Sequence, residues 1–453
     1  MNYTLREIAS IVGGRVIGNE NIVVNGINYD SRVIQKKQMF APFVGEKVDG
    51  HKFVADLFRK DIDASFWQED CLLDLPSGNL VIVKDVLEAI QTLAAYYRSQ
   101  CSIPFIGVTG SSGKTSTKDI IAAVLSAKYR VYKTDGNHNN KLGVPMTVLN
   151  MSADAEVAVI EMGIDDIGIM DQLAEIVKPD YTVITSIAPA HIQQFKTIDK
   201  IIQQKCLINK YLPQNGYCFY NSDYPAVKEQ LLKMNLQKQI KSFGFDDASD
   251  LQVVNYRLEN SNSYFQIKQY PDFTFHIPIL GKHQVCNALA AISIGEKLQM
   301  TAWQMQQGLE KVRLTARRMQ TKFINNCLVI DDSYNSNPSS LVASLDTFIE
   351  YDNRYHKIVV LGDMLELGND SAEMHGDIAD KVDFNEFEKI YLIGEEMKNL
   401  SEKLKQKQIK SSCFDDWKQA VPVLKGEIKK ENIIFFKASN GMNFSGLISA
   451  LED

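Results

Sequence analysis

Phe105-Ile-Gly-Val-Thr109 running into Gly110-Ser-Ser-Gly113-Lys114-Thr115-Ser116 decides the fold of the middle of the chain. A short apolar run that stops at glycine reads as a buried strand. The residues after it, with Ile120, Ile121, Val124 and Leu125 on one face, have helical spacing. Strand, glycine loop and helix in that order make a phosphate cradle. Glycines let backbone N–H groups turn toward phosphate oxygens, and the helix N-terminus adds its dipole. Lys114 can reach the β- and γ-phosphates, and Thr115 can ligate Mg²⁺. The spacing departs from the strict Walker A pattern: Val108 stands five residues before Gly113, and the glycines fall at 107, 110 and 113. A glycine-rich turn carrying a surface lysine is the plainer alternative, and the agreement of strand, loop, Lys-Thr and helix favours a nucleotide.

Working outward, the alternation continues. A strand is expected over Val157–Glu161, a helix through Ile169, Leu173 and Ile176, and a strand from Tyr181 to Ile187. Strands alternating with helices predict βαβ units on a mainly parallel sheet. Val253 to Ile267 and Phe273 to Ile279 read as extra antiparallel strands. From Leu314 the alternation restarts, with strands at Cys327–Asp331, Lys357–Gly362, Lys389–Ile393 and Asn432–Phe436. Upstream, residues 1–98 mix short β-rich runs with turns, and Ser99-Gln-Cys-Ser-Ile-Pro104 interrupts the pattern. The expected fold is α/β in three domains, over 1–98, 99–313 and 314–453. The first is small, the second is a P-loop-type parallel sheet, and the third is a Rossmann-like sheet. At roughly 150 residues per domain, a length of 453 fits three.

Composition removes other classes. Lys plus Arg number 49 and Asp plus Glu 56, a net charge of −7 that argues against a nucleic-acid partner. Seven scattered cysteines with no Cys-x-x-Cys pair predict reduced thiols. The charged N-terminus and the lack of any run of about 18 apolar residues predict a soluble, cytoplasmic protein without membrane insertion. The histidines show no zinc-ligand spacing, so a metal would be Mg²⁺ held partly by the nucleotide.

Glu161 and His191 fall at or just beyond strand ends, where ligands of open α/β sheets bind. Either alone reads as a cap or loop residue; with Lys114 on the same sheet they become candidate Mg²⁺ ligands. Thr134 to Pro145, dense in amides and glycine, reads as a turn-rich loop. Gly281-Lys-His283 through Asn287 opens a helix. Asp331-Asp332-Ser-Tyr334-Asn335-Ser-Asn337-Pro338 puts two carboxylates and two amides at a sheet's carboxyl edge.

Taken together, these segments resemble the Mur ligase family. The residues that carry the resemblance are Thr109-Gly-Ser-Ser-Gly-Lys-Thr115, Asn137-x-Asn-Asn140-x-x-Gly-x-Pro145, Glu161-Met-Gly163, Ala190-His191, Asp332-Ser-Tyr-Asn-x-Asn-Pro338 and Leu361-Gly-Asp-Met-Leu-Glu-Leu-Gly368. Tyr29-Asp-Ser-Arg32 and Phe40-Ala-x-x-x-Gly45-x-x-x-Asp49-Gly50-His51 match that family's uridine-nucleotide domain. The likeness spans the chain. Within the family, the Gly-Asp-Met-x-Glu-Leu-Gly stretch points to members that join D-alanyl-D-alanine to UDP-N-acetylmuramoyl-tripeptide.

The resemblance implies an ATP- and Mg²⁺-dependent carboxylate-amine ligase working through an acyl phosphate in peptidoglycan precursor synthesis. Its first domain would bind the UDP-sugar through Ser31, Arg32, Asp49, Gly50 and His51. The second would bind ATP through Thr109, Gly110, Ser111, Ser112, Gly113, Lys114, Thr115 and Ser116, with His283 and Asn287 near the adenine and Asp332 near the ribose. Thr115, Glu161, His191 and a carbamylated Lys205 would hold metal; a plain surface lysine is the alternative for Lys205. Arg318 would lie near the γ-phosphate, its neighbour Arg317 being the other candidate, and Asn335 and Asn337 would face the dipeptide. Gln284, Leu207 and Lys437-Ala438-Ser439-Asn440 depart from the family's pattern, the last by lacking an arginine. A monomer is expected. A different amino or hydroxy acceptor, or a non-catalytic nucleotide-binding paralogue, remains open as an alternative.

Overall fold

The computed structural model describes residues 1–45, 48–189, 192–236, 239–259, 261–352 and 354–452. The chain divides into two compact units: Met1–Thr109 with Lys128–Val183 and Gln204–Cys218, and Gly110–Ala127 with Ile184–Gln203 and Phe219–Asp453.

The first unit carries a five-stranded sheet ordered Arg15–Ile17, Leu80–Val83, Ala64–Gln68, Gln38–Phe40, Gly26–Asn28. Its last four strands are parallel and the edge strand Arg15–Ile17 is antiparallel. Leu80-Val-Ile-Val83 is apolar throughout because both its faces are covered, as parallel strands require. Phe40, Val54, Leu57, Trp67, Leu80 and Ile82 form the core beneath one face. The same unit holds strands Tyr181–Ile184, Phe105–Thr109, Val157–Glu161 and Val131–Lys133, in that order. Phe105–Thr109 and Val157–Glu161 fall where the sequence placed them, and they pair in parallel. Asp180 fixes the start of the first: its carboxylate accepts from the Phe105 amide at 2.8 Å and from buried Arg98 at 3.0 Å. The strand from Tyr181 ends at Ile184, three residues short of expectation. Thr185 and Ser186 turn their hydroxyls onto the glycine loop instead.

In the second unit the helix Lys114–Leu125 packs on Lys282–Lys297 and Ala302–Leu309. Glycine at 308 permits that approach, since a Cβ there would stand 2.4 Å from the Val124 Cα. Strands Leu251–Glu259, Asn262–Ile267 and Thr274–Ile277 form the expected antiparallel extension. The C-terminal sheet is ordered Gln320–Ile324, Cys327–Asp331, Asn432–Lys437, His356–Gly362, Lys389–Ile393, Ser412–Phe414. Only the hairpin between the first two is antiparallel. Its turn uses Asn325 and Asn326 at φ 45° and 67°, the left-handed pair a tight two-residue hairpin needs. Because Cys327–Asp331, Asn432–Lys437 and His356–Gly362 run parallel side by side, loops 332–337, 438–443 and 363–368 share one carboxyl edge.

Candidate nucleotide and substrate sites

The glycine loop is built as a braced turn. Gly110 has φ +155°, and a Cβ on it would meet the Thr185 Oγ1 at 2.0 Å, so no other residue fits. Gly113, at φ +80°, caps the helix that Lys114 opens. The 184–188 segment holds the loop from below: the Ser111 amide donates to the Ser186 carbonyl at 2.8 Å and the Thr185 hydroxyl to the Ser112 carbonyl at 2.6 Å. The Lys114 ammonium lies back over the turn, donating to the carbonyls of Gly110 at 2.9 Å and Ser111 at 3.3 Å. Thr109 and Ser116 are buried at either side.

Residues distant in sequence converge on this loop. Arg318 donates from Nη2 to the Thr115 Oγ1 at 3.0 Å, and its guanidinium rests 3.9 Å from the Tyr334 ring centre. Its Nε is buried with no hydrogen-bond partner, an orphaned donor of the kind an anionic ligand satisfies. Of the two adjacent arginines, Arg318 is the one at the loop; Arg317 turns to Asn440, 3.0 Å away. Asn287 accepts from the Thr117 hydroxyl at 2.8 Å, tying the helix it lies on to the phosphate helix. His283 carries a buried Nδ1 without a partner. Burial, reinforced by Lys437 and opposed by Asp332, pulls its pKa down to about 4, so the ring is neutral near pH 7. Asp332 is engaged by Lys437 Nζ at 2.5 Å, the Ser344 hydroxyl at 2.8 Å and the Met319 amide at 3.1 Å. Asn337 caps the helix Pro338–Ile349 and donates to the Ser112 Oγ at 2.8 Å. Asn335, exposed, accepts from the next amide. The capping signal at Asn337 was readable before Pro338; its bond to Ser112, and the roles of Tyr334, Thr185 and Lys437, were not.

In the first unit Glu161 ends its strand 1% exposed. Asn139 Nδ2 donates to its Oε1 at 2.6 Å, and its backbone amide donates to the Thr134 hydroxyl at 3.0 Å. The turn-rich loop 134–145 thus supplies the groups that orient this carboxylate. Gly163 lets it close, since a Cβ there would lie 2.9 Å from the Asn139 side chain. Lys205 is 3% exposed on the helix Ile198–Cys206, which excludes the surface-lysine alternative. A lysine so buried needs anionic partners or a changed charge. Thr115 and Glu161 offer the hard oxygen donors that Mg²⁺ takes. Ala190 and His191 lie outside the described residues.

At the carboxyl edge of the small sheet, Asp49 accepts from the His51 backbone amide at 2.9 Å and lies 2.7 Å from its Nδ1. The Gln68 amide donates to the His51 Nε2 at 3.2 Å, which places the ring proton on Nδ1. His51, 2% exposed, stands edge-on to Trp67. Cys71 brings a third potential metal donor within 4.8 Å, but both ring nitrogens are already engaged. Gly50 passes so close to Phe43 that a Cβ would meet its amide nitrogen at 2.9 Å. On the neighbouring loop Arg32 is paired with Asp30, whose pKa it draws down to about 2. Tyr29 and Phe43 meet edge-on between the two loops. Ser31 is half-buried beside them.

Residues 108–295 match the Mur ligase middle domain and 317–440 the Mur ligase, glutamate ligase domain. The chain is similar to the UDP-N-acetylmuramoyl-tripeptide–D-alanyl-D-alanine ligase of Bacillus subtilis, 34% identical over 99% of this chain and 98% of that protein. Among solved structures it is similar to MurF from Acinetobacter baumannii, with a TM-score of 0.88 and 27% identity over 100% of this chain and 99% of that one. It also shares the fold of MurF from Thermotoga maritima solved with ADP, with a TM-score of 0.82 and 24% identity over 95% of this chain and 97% of that one. No described helix is long and apolar enough to cross a membrane. With both domain matches and a full-length relative at 34% identity, the chain belongs to the Mur ligase family.

Proposed function

We propose that this chain is the ATP-dependent ligase that joins D-alanyl-D-alanine to UDP-N-acetylmuramoyl-tripeptide in peptidoglycan precursor synthesis. The carrying observation is the end-to-end similarity to a ligase of that name.

A carboxylate is a poor electrophile, so the reaction activates it. An oxygen of the tripeptide carboxylate attacks the γ-phosphorus of ATP, ADP leaves, and an acyl phosphate forms. The dipeptide amine adds to the acyl carbon, phosphate departs with the attacking oxygen, and a proton is lost from nitrogen. Phosphoryl transfer of this kind depends on positioning and charge neutralisation. Loop amides 110–116 and Lys114 bind and orient the phosphates, and Arg318 adds a cation on the Thr115 side. Mg²⁺, held by Thr115, Glu161 and His191, would neutralise phosphate charge when bound. Lys205 in carbamylated form would give it a further oxygen ligand. Neutral His283 and Asn287 border the adenine, and Asp332, already held by Lys437, borders the ribose. Ser31, Arg32, Asp49, Gly50 and His51 receive the UDP-sugar and Asn335 the dipeptide, while Asn337, which donates to the Ser112 Oγ at 2.8 Å, steadies the phosphate loop. On this reading 1–98, 99–313 and 314–453 serve the UDP-sugar, ATP and dipeptide in turn, in a monomeric cytoplasmic enzyme.

The test is phosphate release by the purified protein with Mg²⁺, ATP and UDP-N-acetylmuramoyl-tripeptide, with and without D-alanyl-D-alanine. Dipeptide-dependent release with a UDP-pentapeptide product by mass supports the reading. Silence with both lysine- and diaminopimelate-containing tripeptides overturns it. Glu161→Ala should abolish turnover; a nucleotide-binding scaffold would keep its role.

A further inference from the structure

Loops 332–337, 363–368 and 438–443 are stitched together at the carboxyl edge of the C-terminal sheet. The Ser439 amide donates to the Asp363 carbonyl at 3.1 Å, the Leu365 amide to the Ser439 Oγ at 2.9 Å, and the Ser439 hydroxyl to the Ser336 carbonyl at 3.3 Å. Three cationic side chains reach this edge. Lys437 is consumed by Asp332 at 2.5 Å. Arg318 leaves it for Thr115. Arg317 remains, half-buried, and its side-chain partners are both neutral: Asn440 Oδ1 at 3.0 Å and the Tyr334 ring, 5.6 Å to its centre. Among the described residues it has no carboxylate partner, whereas Arg6, Arg32, Arg59, Arg98, Arg130, Arg257 and Arg354 each do.

The backbone holds this arrangement against its own preference. Arg317 and Met319 both lie in the left-handed region, at φ 63° and 50°, on either side of Arg318. The Tyr334 amide donates to the Arg317 carbonyl at 3.0 Å and the Met319 amide to Asp332 at 3.1 Å, which keeps the strained turn in place. Non-glycine residues in that region persist where surrounding structure over-determines them, commonly at ligand sites. The strain makes two adjacent arginines diverge around one tyrosine, one toward the phosphate loop and one toward the asparagine of loop 438–443.

We propose that Arg317 binds the terminal carboxylate of the incoming dipeptide, so that the acceptor is selected by a free C-terminus. This rests on the function proposed above, whose acceptor carries one carboxylate and no other charge beyond its amine. A planar guanidinium with neutral partners is suited to bidentate capture of that group. Asn440 holds it by a single bond and leaves its other donors for the ligand.

The experiment measures phosphate release by the full-length protein with saturating UDP-tripeptide, using D-alanyl-D-alanine or its C-terminal amide. In the unaltered protein, amidation should raise the acceptor KM about 10- to 100-fold, as loss of a charge-assisted contact does. Arg317→Gln should raise the KM of the free dipeptide by a similar factor, leave the KM of ATP within about twofold, and erase the amidation penalty. A penalty that persists in Arg317→Gln overturns the assignment, and so does a rise in ATP KM in its place, which would give Arg317 to the phosphates. Asn440→Ala guards against misfolding of the first variant: it should raise acceptor KM severalfold with ATP KM unmoved, and an unchanged acceptor KM counts against the assignment. Silence of the unaltered protein with the free dipeptide would remove the ligase reading itself, a failure distinct from these.

Discussion

Asn337 offers a perturbation whose two effects can be separated. Its Oδ1 accepts from the Ser340 amide at 2.9 Å and so caps Pro338–Ile349, while its Nδ2 donates to the Ser112 Oγ at 2.8 Å in the phosphate loop. Aspartate keeps an acceptor at the cap, where Asp and Asn are equivalent, and loses the donor; alanine loses both. Asn337→Ala should therefore lose about 1 kcal/mol from the cap and about 1 kcal/mol from the loop bond. Asn337→Asp should keep the cap and lose only the loop bond, about 1 kcal/mol. Both should raise the KM for ATP by about fivefold, the value of one hydrogen bond of about 1 kcal/mol, with aspartate worse because its charge faces phosphates. Denaturant unfolding reads the first effect and steady-state kinetics with each substrate varied reads the second. If the dipeptide KM moves while the ATP KM stays, the reasoning fails and Asn337 touches the acceptor instead.

Other outcomes follow from the buried groups. Lys205→Arg, which cannot be carbamylated, should lose most turnover; full activity in that variant refutes the carbamate. Asn139→Ala removes a 2.6 Å donor from a carboxylate 1% exposed and should shift the Mg²⁺ dependence of activity about tenfold upward, as a lost bond to a charged group does. An unchanged Mg²⁺ titration would separate Asn139 from the metal site. His283, drawn down to about 4, stays neutral while the unfolded chain gains a proton below about 6.5. Its contribution to stability is therefore complete above that pH and is lost as pH falls from about 6.5 to about 4. Unfolding titrations across that window should show less pH dependence in His283→Gln, and identical slopes would refute the assignment.

What was legible in the sequence was whatever local periodicity or turn chemistry encodes. Phe105–Thr109, Val157–Glu161, Cys327–Asp331 and Lys389–Ile393 are strands with the expected bounds because fully buried parallel strands are short uninterrupted apolar runs. Tyr181 to Ile187 continued that pattern in sequence, yet Thr185 and Ser186 leave the sheet to brace the glycine loop, a demand set by residues more than seventy positions away. The small first sheet was barely legible, since strands of three residues such as Gln38–Phe40 carry almost no period. Site geometry was legible at the phosphate loop, where function and local structure coincide. Asn139 with Glu161 and Arg318 with Thr115 meet across separations of 22 and 203 residues, which only the fold brings together. Asn337, expected at the dipeptide, is found capping Pro338–Ile349 and bonded to Ser112.

Activation of the tripeptide carboxylate by ATP is the central claim, and oxygen tracing tests it most directly. UDP-N-acetylmuramoyl-tripeptide labelled with ¹⁸O in the reacting carboxylate would be turned over with ATP, Mg²⁺ and D-alanyl-D-alanine, and the released phosphate weighed by mass spectrometry. An acyl phosphate transfers one labelled oxygen to each phosphate formed. Phosphate without the label, alongside UDP-pentapeptide product, would contradict the account.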